Sequence, residues 1–119
     1  MGTSYFFVDD NIFPLVRYGR PPENYHYRDD RITNRAGPEM YVQVATATDQ
    51  SLILWSIEGS VKTGRVEFRD YEYDGSLKTV KFVDGVCIAY GEESNPDSIM
   101  LPRLISLSII PATLTYDGY

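Results

Sequence analysis

The sequence predicts a mainly β protein: a compact β-barrel or pair of packed sheets with one short flanking α-helix. Three observations carry this. Short β-branched and aromatic runs recur between turn residues at strand spacing, roughly seven to nine of them. The pair Asp74-Gly75 suits the positive φ angles of a tight hairpin turn. Only TATDQSLILWSIEG, residues 46–59, is written more economically as a helix than as a strand.

The chain has 119 residues, 43% apolar with ten tyrosines, enough for one core, and residues 1–119 are read as one domain. Residues 4–8 and 12–18 flank Asp9-Asp10-Asn11 as a first hairpin, with Pro14 marking an edge or an irregular position. Residues 19–39 form a polar arm or loop with three prolines, longer than a plain connection needs. Arg17, Arg20, Arg28, Arg31 and Arg35 lie in or near it, interleaved with acids and with Tyr25 and Tyr27. A solvated loop or a charged protein interface explains this better than a nucleic-acid patch. The candidate interface residues are Tyr25, Tyr27, Arg28, Arg31 and Arg35.

Residues 40–48 read as a strand with Met40, Val42 and Val44 on one face. Thr48 or Asp49 can cap the helix that follows, and Gly59 can stop it. Leu52 and Trp55, three apart, and Ile53 and Ile57, four apart, supply its apolar face. About ten residues cannot hold a helix alone, so Trp55 is expected to anchor it on a sheet, an interface anchor being the alternative. Residues 61–64 read as a connection, and 65–73 as a strand with Val66 and Phe68 on one face. Residues 77–83 return with Val80 and Phe82 aligned. Gly85 breaks or bends the run before Val86, Ile88 and Tyr90 resume the alternation. Residues 91–98 form an acidic turn containing Asn95-Pro96. Residues 104–110 are a strand with Ile105, Leu107 and Ile109 on one side, and Leu114 and Tyr116 add a last edge strand. The expected packing anchors are Leu52, Trp55, Ile57, Phe68, Phe82 and Ile109.

The net charge of −6 makes DNA, RNA and anionic membranes poor partners. The lone Cys87 excludes an intrachain disulfide and suits a reducing compartment. No eighteen-residue apolar window suggests a membrane span, and MGTSYFFVDD does not read as a classical signal peptide. His26 is the only histidine, which leaves no multi-histidine metal set and only a loop residue for any triad. Asp29-Asp30 and Glu92-Glu93 are sequence neighbours whose side chains diverge on a strand. Asp70, Glu72 and Asp74 fit a solvated acidic edge better than a cation site. Lys62-Thr63-Gly64 matches a fragment of serine β-lactam-binding enzymes without its companion element. No catalytic, cofactor-binding or metal residue is assigned, no cofactor is expected, and the chain is read as a non-enzyme.

Four segments, taken in order, resemble the Hcp-like tube proteins of type VI secretion systems, in particular their Bacteroidetes branch. TATDQSLILWSIEG resembles the family's passage from strand to helix, and KTGRVEF its next strand. LKTVKFVDGVCIAYGEE resembles the strand that meets an acid-Gly step, here Asp84-Gly85. SNP followed by LISLSIIPATLTYDG resembles the closing strand, with Pro102 standing where that pattern runs more smoothly. The resemblance implies a hexameric ring subunit whose rings stack into a hollow tube, with sheath, baseplate and spike proteins and carried effectors as partners. It implies assembly in the bacterial cytoplasm followed by secretion without a classical signal peptide. It places the arm at contacts between subunits or rings and the helix along the ring wall or lumen. The alternative is a non-enzymatic β-barrel module that binds a peptide or glycan.

Overall fold

The computed structural model describes residues 4–19, 39–47, 50–70 and 76–117. The elements run β1 (Ser4–Val8), β2 (Asn11–Gly19), β3 (Met40–Thr46), α1 (Ser51–Glu58), β4 (Val61–Asp70), β5 (Ser76–Ser94), β6 (Arg103–Ile110) and β7 (Thr113–Asp117). Every pairing is antiparallel. The strands follow the order β4-β1-β2-β3-β6-β5, and β5 pairs back onto β4, so six strands close into a barrel. Closure removes the free edges that an open sheet would expose. Among the described strands only β7 stands outside the circuit, paired with β5.

β5 organises the barrel. A straight strand of 19 residues would span about 60 Å, whereas the molecule's longest dimension is 42 Å. The strand therefore bends, and it does so where Asp84 takes a φ of 53° beside Gly85 and where its register with β6 shifts between Cys87 and Ala89. One edge of β5 pairs with β4 from Ser76 to Val86. The other pairs with β7 over Thr79 to Val83 and with β6 over Val86 to Ser94. The two strands expected at 77–83 and 86–90 are thus one, and the turn expected from Gly91 begins only at Asn95. Backbone pairing with β6 overrides the acidic composition, and each carboxylate finds a partner: Glu92 pairs with Arg103, and Glu93 accepts from Gln43 Nε2 at 3.1 Å.

Two further expectations shift. Residues 61–64 belong to β4 rather than to a connection, because Val61 and Lys62 already pair with Val86 and Gly85. Of the two positions expected for Pro14, the edge is excluded because β2 lies between β1 and β3, and the irregular one fits the register shift with β3 between Leu15 and Arg17. With Val8 opposite Asn11 across the two-residue turn, ladder alternation puts Tyr5 and Pro14 in a non-hydrogen-bonded pair. The missing N–H of Pro14 then faces the β3 side, where pairing starts only at Leu15. The Asp74-Gly75 turn lies outside the described residues.

The inward residues follow the period of two: Phe6 and Val8, Phe13, Met40, Val42 and Val44, Val66, Phe82, and Ile105, Leu107 and Ile109. Phe68 packs on this core half-buried, its ring 6.1 Å from that of Tyr18. Helix α1 adds Leu52 and Trp55 to the same cluster. Its N-cap is Gln50, without a side-chain hydrogen bond, rather than Thr48 or Asp49, both outside the described residues. Gly59 ends the helix in the left-handed region at φ 69°, and its N–H donates to the Trp55 carbonyl at 3.2 Å. Ile57 is not a packing anchor. It is 62% exposed, because at 100° per residue it lies about 200° around the helix from the buried Trp55.

The Phe82 ring is the centre of the core. It stacks on Trp55 at 6.2 Å and 13°, and on Phe6 at 6.0 Å and 12°. It also lies against two bare glycines. A Cβ on Gly64 would meet the Phe7 carbonyl oxygen and come within 2.8 Å of Phe82 Cζ, and one on Gly85 would come within 2.8 Å of Ile109 Cγ2. Phe82→Ala is expected to lower stability by about 3–5 kcal/mol, read as a lower urea midpoint at unchanged slope. Gly64→Ala is expected to act in the same direction by about 1–3 kcal/mol, since a main-chain oxygen cannot swing aside. An unchanged midpoint in either variant would contradict this packing.

Candidate functional site

The interior of the barrel is filled by the core side chains, so binding chemistry falls to the outer surface. The sequence-predicted interface residues Tyr25, Tyr27, Arg28, Arg31 and Arg35 lie outside the described residues, as do His26, Asp29, Asp30, Glu72 and Asp74. The pairing of Gly19 with Tyr41 does fix where the arm leaves and rejoins the barrel: at one end, between adjacent strands. Among the described residues no group of three or more His, Cys, Asp or Glu side chains converges to hold a metal ion. Cys87 is buried beside Ile109, and its thiol donates to the Ala89 carbonyl at 3.3 Å.

Three surface features stand out among the described residues. The first is the far side of α1, where Leu54 (46% exposed) and Ile57 present a second apolar stripe opposite Leu52 and Trp55, continued by the exposed Val61. A helix that is apolar on all sides is normally a buried one. On its core side it is pinned by Trp55 Nε1, which donates to the Ser60 carbonyl at 2.9 Å.

The second is a notch of about 240 Å³ on the outer wall between β1, β4 and β5. Phe7, Val8, Phe82 and Val83 give it apolar walls, and Asp9, Thr63, Gly64, Arg65 and Lys81 complete the lining. The β4–β5 register slips beside it, between Lys62 and Gly64. Among the described residues, the two non-glycine positions with positive φ, Asp9 and Asp84, also flank it. Lys62 pairs with Asp9, the Asp84 N–H donates to Thr63 Oγ1 at 3.2 Å, and the Arg65 guanidinium sits 4.0 Å over the Phe7 ring while pairing with Glu67.

The third is the loop from Asn95 to Pro102. The Asn95 N–H donates to the Pro102 carbonyl and its Nδ2 to the Leu101 carbonyl, both at 2.8 Å. The Asp97 N–H donates to Asn95 Oδ1 at 3.1 Å, and the Leu101 N–H to Ser98 Oγ at 3.0 Å. These bonds lock a loop whose tip, Ile99 and Met100, is 97% and 82% exposed. Sequence reasoning reads residues 91–98 as a polar turn and gives Ile99 and Met100 no role. The available signal was these two consecutive large apolar residues just past that turn.

No protein-family profile and no curated protein matches the sequence. Solved structures match its fold. Hcp1 from Flavobacterium johnsoniae superposes with a TM-score of 0.70, covering 98% of this chain and 96% of that one at 17% identity. Hcp1 from Salmonella typhimurium gives 0.66, covering 97% and 84% at 8% identity. A further Hcp protein gives 0.62, covering 98% and 99% at 9% identity. The chain is Hcp-like in fold, a closed barrel with one short helix.

The two faces of α1 separate by mutation. Trp55→Asp puts a charge into the core stack and is expected to abolish the cooperative thermal transition. Ile57→Asp is expected to leave stability within about 0.5 kcal/mol of the parent, as exposed positions do. Circular dichroism melts of the two variants check this, and a destabilised Ile57→Asp would place that residue in the core after all.

Proposed function

We propose that this chain is the subunit of a ring that stacks into the inner tube of a contractile injection system of the type VI secretion kind. The observation that carries the reading is the Hcp fold over 98% of the chain. The surface supports it. A barrel whose interior is packed with side chains works through its outside, and here that outside holds an apolar helix stripe and a rigid apolar loop tip. Exposed apolar groups placed on fixed elements mark contacts with other chains. A subunit with different patches on its two sides closes into a ring when the rotation between copies is right.

On this reading the role is mechanical: the subunit builds a wall around a channel and catalyses nothing. Sheath, baseplate and spike proteins are its partners in the machine, and effectors are the cargo of the lumen. The subunit assembles in the bacterial cytoplasm and leaves through the machine. The arm of residues 19–39 serves contacts between subunits or stacked rings.

Negative-stain images of the purified protein are expected to show rings of about six subunits around a central channel. A chain that stays uniformly monomeric at high concentration would overturn the proposal.

A further inference from the structure

We propose that the notch on the outer wall, with Lys81 at its rim, receives the Asn95-to-Pro102 loop of a second copy of this chain, an inference that rests on the ring reading above. The wall has an electrostatic reason to take an anion there. Arg65 and Lys81 stand directly opposite each other in the β4–β5 ladder, and like charges so placed repel. Arg65 is engaged by Glu67 and the Phe7 ring, and Lys62 by Asp9. Lys81 is exposed and has no ion pair among the described residues. Beside it, Phe7 and Val83 offer apolar walls.

The loop is the complement. It carries the exposed Asp97 and, two and three residues on, the exposed Ile99 and Met100. Its four hydrogen bonds hold it in shape without any partner, so little ordering cost remains on docking. The loop does not fill the notch of its own chain, since Ile99 and Met100 at its tip are 97% and 82% exposed. Along β5, Ser94 and Phe82 are at most about 40 Å apart. A second copy supplies a carboxylate to Lys81 and two apolar side chains to the notch walls. Because the loop and the notch are different patches of one surface, the contact runs head to tail, the kind that closes rings or propagates stacks.

The test is charge reversal in the full-length chain, with assembly followed by sedimentation velocity and negative-stain images. Lys81→Glu and Asp97→Lys are both on the surface and are expected to melt as the parent does. Each alone sets like charges together and is expected to raise the concentration needed for assembly by at least about tenfold. An equimolar mixture of the two is expected to assemble within about twofold of the parent. In alternation, the D97K loop meets the K81E notch, and the native loop of the K81E chain meets the native notch of the other. Single variants that assemble like the parent overturn this contact and leave the ring reading standing, as does a mixture that fails to recover. A parent chain that never assembles overturns both.

Discussion

The structure depends on where one phenylalanine ring is held. Phe82 stacks between Trp55 of the helix and Phe6 of the first strand, with the main chain at Gly64 and Gly85 close against it. Those contacts join the consecutive elements α1, β4 and β5 to β1, which is distant from them in sequence. Side chains at the two glycines would push the wall away from the ring and open the stack. The short helix has no stability of its own and exists because Leu52 and Trp55 are buried in this cluster.

Closure follows from β5. It is long enough to serve β4 on one edge and both β6 and β7 on the other, and its bend at Asp84-Gly85 lets it do so within the molecule's dimensions. β6 and β7 lie along the same edge, β7 continuing the register in which Val86 and Cys87 pair with β6, and they are parted where Pro111 interrupts the ladder and the Ala112 N–H bonds to the Val83 carbonyl at 2.9 Å. A filled, closed barrel has neither a free interior nor, apart from β7, a free edge. What it offers other molecules is its outer wall, its helix and its loops.

That is the physical basis for reading the chain as an assembly subunit. Apolar side chains on a helix face and on a hydrogen-bonded loop tip are unfavourable in water and are held there by rigid elements. On the proposed reading a neighbouring copy covers them. The notch at Lys81, with two cations opposed across one ladder, supplies the polar half of the same logic.

The sequence by itself determined the strand periodicity, the inward sets on β3, β4 and β6, the position of the helix and its Gly59 stop. These rest on local alternation and local backbone preference, which a few neighbouring residues settle. It also carried the ordered segments that resemble the Hcp family, whose fold the chain adopts. Tertiary structure alone decided the rest, because pairing partners are distant in sequence. It fused two expected strands and half an expected turn into β5, drew residues 61–64 into β4, and turned Ile57 outward although its spacing from Ile53 looked like a core face. The notch at Lys81 and the locked tip at Ile99-Met100 were illegible in one dimension. The first needs three strands to meet, and the second needs burial to be known before two apolar residues in a turn can be recognised as exposed.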